Sequence, residues 1–156
     1  MAHFQKKEVQ IINASIEEVW DFISSPNNLK KITPEYMGFD ITSAELPEKM
    51  YPGMIITYKL SPLPGIKINW MTEITHVKDL SYFVDEQRMG PYTMWHHEHH
   101  LEKTEDGQVK MTDLITYITP LGFLGAFANE ILIKGELKKI FDFRRAAIDN
   151  YFGKKN

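Results

Sequence analysis

The fold is decided by the last stretch of the chain, residues 120–152, PLGFLGAFANEILIKGELKKIFDFRRAAIDNYF. Ile133, Leu137, Ile140, Phe141, Ile148 and Tyr151 recur at three- and four-residue steps, which places them on one face of an α-helix. Glu136, Lys138, Lys139, Asp142, Arg145 and Asp149 fill most of the other face. If helical throughout, the stretch spans about 50 Å at roughly 1.5 Å per residue. Its first half carries a different apolar stripe, Leu124, Ala128, Ile131 and Leu132. At about 100° per residue the two stripes lie nearly opposite each other. The slip falls beside Gly135, a costly residue within a helix. Two readings follow: a helix buried on both sides near its start, or a kink with residues 120–129 folded as a separate lid.

Working outward, nearly everything upstream reads as strand. His3–Asn13 alternates loosely, and Ser15 with Glu18 has capping-box spacing ahead of the helical stripe Ile16, Val19, Trp20, Ile23. A second short helix is expected over Asn28–Ile32, stopped by Thr33-Pro34. Strands follow over Met37–Leu46, Met54–Leu60, Ile66–Val77 and Tyr82–Met89. Residues 61–65, SPLPG, form a turn that cannot be helical. Tyr92–Lys103 and Gln108–Thr119 flank Thr104-Glu105-Asp106-Gly107 and read as a hairpin. The order is strand, two small helices, six strands, long helix. The fold class is therefore α+β, a curved antiparallel sheet of seven strands closing around a terminal helix, with a cavity between the layers. No repeat, linker or low-complexity segment interrupts it, so residues 1–156 are expected to form a single domain.

The totals limit the function classes. The chain has 156 residues, 43% of them hydrophobic, 12% aromatic and 25% charged, with a formal net charge of −3. Without clustered Lys and Arg, nucleic acid is not the expected partner. The absence of cysteine rules out disulfide and thiolate chemistry. The first residues, MAHFQKKEVQ, lack the apolar core of a signal peptide, and no apolar run approaches the ~18 residues of a membrane span. A cytoplasmic monomer or homodimer, without membrane insertion, is expected.

The chemically densest stretch is residues 95–101, WHHEHHL. As a strand, alternation puts Trp95, His97, His99 and Leu101 on the cavity face. His96, Glu98, His100 and Glu102 then face water. On the partner strand Val109, Met111, Asp113, Ile115 and Tyr117 form the inward set. If Leu101 pairs with Met111, His99 lies opposite Asp113. Four roles remain open for this group: a structural pair satisfying a buried carboxylate, a polar cluster orienting a ligand, a metal site, or general acid–base catalysis by His97 or His99. Standard metal-ligand spacing is missing, so neither metal nor cofactor is expected. Tyr58, Trp70, Tyr117 and Phe127 are expected to line the cavity, with ordinary core packing as the competing role. The expected ligand-binding set is Tyr58, Trp70, Trp95, His97, His99, Asp113, Tyr117 and Phe127, and the candidates for catalysis are His97, His99 and Asp113.

The opening strand followed by residues 14–22, ASIEEVWDF, resembles the start of the START-like, or SRPBCC, superfamily. More specific are Gly90-Pro91-Tyr92, Trp95-x-His97-x-His99, Met111-x-Asp113, Tyr117-x-x-Pro120-Leu121-Gly122 with Gly125, and Ile140-Phe141-x-x-Arg144. Together they are similar to a bacterial subgroup known as ligand-binding SRPBCC proteins, over almost the whole chain. The resemblance implies a helix-grip fold with a deep apolar cavity. It also implies a hydrophobic ligand, lipid-like, isoprenoid or polycyclic, in a carrier or sensor. The superfamily also holds lipid-transport proteins and polyketide cyclases and dehydrases, so the alternative is a cyclase-, dehydratase- or hydrolase-type enzyme using the His–Asp cluster. The iron–sulfur role found in ring-hydroxylase subunits needs cysteine ligands and is excluded here.

Overall fold

A computed structural model gives the structure of residues 3–63 and 65–153. Its seven strands are β1 Phe4–Ile12, β2 Asp40–Ile41, β3 Met54–Leu63, β4 Ile66–Lys78, β5 Tyr82–Met89, β6 Met94–Lys103 and β7 Val109–Ile118. They form one antiparallel sheet in the order β1-β7-β6-β5-β4-β3-β2. Every neighbour except the β1–β7 pair is consecutive in sequence, so the chain returns only once, to lay its last strand beside its first. Register shifts between Leu60 and Leu63, Met71 and Thr72, and Ile74 and His76 break the ladder and bend the sheet.

Helix α1 (Ile16–Ile23) begins as its cap dictates. The Glu18 amide donates to Ser15 Oγ at 3.2 Å, and the Ser15 amide donates to Glu18 Oε2 at 2.8 Å. Two 3-10 turns follow, Pro26–Ile32 and Glu35–Met37. The strand expected over Met37–Leu46 shrinks to the two residues of β2. The left-handed turn at Gly38 delays its start, Asp40 and Ile41 pair with Lys59 and Tyr58 of β3, and Thr42 and Ser43 then both donate their amides to the Thr57 carbonyl. Pro64, in the turn between β3 and β4, lies outside the described residues.

After β7, Leu121 and Gly122 both take positive φ, 64° and 56°, to reverse the chain. Helix α2 (Gly122–Ala128), a π-helical turn (Asn129–Ile133) and helix α3 (Lys134–Phe152) complete the molecule. The phase slip thus falls at the π turn, which ends two residues before Gly135. A π turn inserts an extra residue and rotates the face that follows. Helix α3 buries Leu137, Phe141 and Ile148 against the sheet. The upstream stripe is not buried: Leu124, Ile131 and Leu132 are 56%, 60% and 49% exposed. That corrects the expectation of a helix buried on both sides. Tyr151 also stays 59% exposed, although its ring stacks 4.3 Å from Phe22. This architecture, a curved sheet gripping a long C-terminal helix, is the helix-grip fold.

Candidate functional site

The inner face of the sheet and helix α3 leave a cavity of about 170 Å³ between them. Its wall is mostly apolar: Ile56, Leu60, Trp70, Ile74, Phe83, Tyr92, Trp95, Met111 and Ile115 from the sheet, with Leu137, Ile140, Phe141 and Ile148 from α3. Tyr58 and Thr72 add hydroxyls that are already engaged. Thr72 Oγ1 lies 2.9 Å from the Tyr58 hydroxyl and accepts the Trp70 indole N–H at 3.0 Å.

One polar patch interrupts this wall. Strand alternation and register build it as a small checkerboard. His97 on β6 sits between Asp85 on β5 and Ile115 on β7, and His99 sits between Phe83 and Asp113. Each carboxylate therefore lies directly across from one imidazole and diagonal to the other. Asp113 Oδ1 accepts from His97 Nε2 at 3.0 Å, from His99 Nδ1 at 2.8 Å and from Arg144 Nη1 at 3.3 Å. Asp85 Oδ2 lies 2.7 Å from His99 Nε2 and 3.5 Å from His97 Nδ1. The imidazoles overlap with centroids 3.8 Å apart, and Phe83 stacks on the outer side of His99 at 4.0 Å. His97, His99 and Asp113 are only 5%, 7% and 3% exposed.

Burial works against charge on every member, and the neighbours decide which ones carry it. Burial, then repulsion from His99, lowers the His97 pKa to about 4, against the weaker pull of the carboxylates. On His99 burial is outweighed by its hydrogen bonds to Asp113 and Asp85, which raise its pKa. Burial also opposes ionisation of Asp113, yet hydrogen bonds from His97 and His99, with Arg144 nearby, hold it well below the usual carboxylate range. Asp85 is lowered for similar reasons, the charges of His97 and His99 overcoming its burial. The Tyr58 and Tyr92 hydroxyls are raised, chiefly by burial, and stay protonated. Arg144 lines the cavity, and its buried Nε–H meets no acceptor.

The expected site residues separate into three groups. Tyr58, Trp70, Trp95, His97 and His99 line the cavity together. Asp113 and Tyr117 stand one layer behind it: Asp113 holds the two imidazoles, and Tyr117 packs against Trp95 and Tyr92 at 5.9 and 5.6 Å. Phe127 does not join them. It lies 67% exposed on α2, because the π turn orients that helix differently from α3. Of the outward set, His96, Glu98 and His100 are half-buried and Glu102 is exposed; His96 pairs with Glu86 of β5 at 2.8 Å and His100 with Glu98 at 2.9 Å.

Two members of the patch were missing from the expected site. Asp85 shares the alternating face of Phe83, a signal present in the sequence. Arg144 occupies a core position in the helical series Leu137, Phe141, Arg144, Ile148. Both are charged residues at positions that their neighbours mark as inward-facing.

No family model and no curated protein matches the chain. Solved structures do resemble it. Protein Ms6760 from Mycobacterium smegmatis is 18% identical, with a TM-score of 0.67 over 94% of this chain and 89% of its own. Major latex-like protein 151 from Panax ginseng is 11% identical, with a TM-score of 0.70 over 97% and 99%. A protein from Arthrobacter aurescens is 14% identical, with a TM-score of 0.70 over 94% and 86%. At such identities the likeness establishes the fold alone. Among the described residues no helix is long and apolar enough to cross a membrane.

Proposed function

We propose that this chain, as one domain over residues 1–156, binds a hydrophobic small molecule in the cavity between sheet and α3. It acts as a carrier or sensor, in the cytoplasm, as a monomer or homodimer. The supporting observation is the composition of the wall: apolar on nearly every side, with one polar patch formed by Asp85, His97, His99 and Arg144. Charged and polar side chains set in an apolar wall favour a ligand that brings a polar group to them, so the ligand carries an oxygen at one end. Apolar burial supplies most of the affinity, at about 25 cal/mol per Å².

Cavity size narrows the ligand class. The volume of about 170 Å³ is close to that of an apolar cavity of about 150 Å³ that takes benzene. The conformation described here suits a compact ring system with one polar substituent. An isoprenoid, polycyclic or extended lipid needs the cavity to widen.

The test is native mass spectrometry of freshly purified protein, followed by denaturing extraction. A co-purifying apolar molecule bearing an oxygen, one per chain, supports the reading. A ligand-free protein that also fails to bind 1-naphthol, naphthalene or a fatty acid overturns it.

A second reading is favoured by one observation. His97, its pKa lowered to about 4, and His99, its pKa raised by its two carboxylate neighbours, stand side by side on the cavity wall, as a general base and general acid require. In that case the chain is a cyclase-, dehydratase- or hydrolase-type enzyme. Turnover of an aromatic or polyketide-like substrate that disappears in His97→Gln favours it over a carrier.

A further inference from the structure

The hydrogen-bond inventory of the polar patch does not close on itself. A neutral imidazole brings one N–H and one lone pair. Two such rings make four nitrogen–carboxylate approaches here, at 3.0 and 2.8 Å to Asp113 and at 3.5 and 2.7 Å to Asp85. When both rings donate to Asp113, two lone pairs, on His97 Nδ1 and His99 Nε2, turn toward the same oxygen, Asp85 Oδ2. Three electron-rich atoms then converge on one point. A proton on His99 Nε2 relieves the shorter contact and leaves the 3.5 Å contact unsatisfied. A divalent cation satisfies all three donors at once.

We propose that Asp85, His97 and His99 bind one divalent transition-metal ion of the zinc, cobalt(II) or iron(II) type, with Asp113 as the support that orients both imidazoles. Three features of the geometry carry this. One donor atom from each of the three residues lies within 4.8 Å of the other two. Metal–nitrogen and metal–oxygen bonds of about 2.0–2.2 Å place neighbouring donors about 3 Å apart, so the set closes on an ion with small side-chain movements. Second, Asp113 Oδ1 lies 3.0 and 2.8 Å from the far nitrogens of the two imidazoles, and a carboxylate accepting the far N–H of a ligating histidine is a usual outer support, fixing tautomer and ring orientation. Third, Asp85, His97 and His99 line the cavity while Asp113 and its partner Arg144 Nη1 meet behind them. The remaining coordination positions of the ion therefore open toward whatever the cavity holds. Two imidazoles with one carboxylate select a transition metal over Mg²⁺ or Ca²⁺. The sequence spacing offered two histidines and one carboxylate in no standard pattern; Asp85 supplies the donor that completes the set. The inference is independent of what fills the apolar part of the cavity.

The test uses the full chain, stripped with a chelator and titrated with Co²⁺. The expected result is one Co²⁺ per chain with visible d–d absorption, displaced by Zn²⁺, and an X-ray absorption spectrum containing two imidazole nitrogens. Asp85→Asn abolishes stoichiometric binding, and Asp113→Asn weakens it about 10–100-fold. The double variant His96→Ala/His100→Ala, on the outer face, leaves it unchanged. Absence of stoichiometric Co²⁺, or a spectrum of oxygen ligands only, overturns the proposal. So does binding lost in His96→Ala/His100→Ala and kept in Asp85→Asn. The wild-type spectrum with the outer-face variant decides the matter even if the Asp variants fail to fold.

Discussion

His97 stands directly across the sheet from Asp85, yet its shorter contact runs diagonally to Asp113: Nε2 is 3.0 Å from Asp113 Oδ1, whereas Nδ1 is 3.5 Å from Asp85 Oδ2. The asymmetry gives the two carboxylates different work. Asp113, the more deeply buried, gathers three donors and fixes the patch to α3 through Arg144. Asp85, less deeply buried, lines the cavity itself.

Asp113→Asn is therefore expected to destabilise the fold strongly. The change leaves Arg144 buried without its carboxylate partner and His99 with Asp85 alone, and breaking a buried ion pair from one side costs about 3–5 kcal/mol. Urea unfolding followed by circular dichroism measures it. A loss within experimental error would show that Asp113 does not organise the patch.

Substitution of either cavity histidine separates binding from folding. His97→Ala and His99→Ala are expected to weaken ligand binding more than they lower the melting temperature. Thermal unfolding and a titration on the same samples decide between the roles. A variant that unfolds while its remaining folded fraction binds normally returns that histidine to a purely structural role.

Tryptophan emission reports on cavity filling with built-in controls. Trp70 and Trp95 line the cavity, whereas Trp20 packs in the core around α1. Titration with 1-naphthol is expected to quench emission in wild type and in Trp20→Phe. The response should vanish in Trp70→Phe/Trp95→Phe. A response that follows Trp20 instead would place the ligand elsewhere.

Leu137→Ala tests the size limit of the cavity. Leu137 is 5% exposed and forms part of the wall on α3. Truncation costs about 2–5 kcal/mol of stability, and the space released is expected to improve binding of larger ring systems relative to 1-naphthol. Equal losses for all ring sizes would mean that α3 does not limit the cavity.

At Gly125 the missing side chain allows a close backbone approach that holds an element in place. A Cβ there would lie 1.8 Å from the Pro120 carbonyl oxygen and 2.8 Å from Thr119 Oγ1. Gly125→Ala is expected to lift α2 off the end of β7, seen as faster amide exchange confined to residues 119–128. If residues 120–129 act as a lid, ligand dissociation accelerates in the same variant. Unchanged exchange would show that α2 is not docked through this contact.

Much of this was written locally. Alternation along 95–101 and 109–117 assigns His97, His99 and Asp113 to the inner face. The tight connection at 104–107 fixes their register, so the His99–Asp113 pair follows from counting. The Ser15–Glu18 cap and the apolar stripe of α3 are equally local, because periods of 2 and 3.6 need no knowledge of the rest of the chain.

Three things needed the assembled molecule. Pairing of Asp85 with His97 depends on register across the Gly90–Thr93 connection, which no tight turn dictates and which Gln87 braces through the Tyr92 backbone. The approach of Arg144 to Asp113 depends on how α3 is rotated after the π turn. The exposure of Phe127 depends on that same turn, which reorients α2 although the sequence reads as continuous helix. Sequence alone thus determined which side chains of the β6–β7 hairpin face inward; folding decided which of them meet and which helical side chains join them, since that is set by register and helix rotation, quantities fixed only when distant surfaces pack.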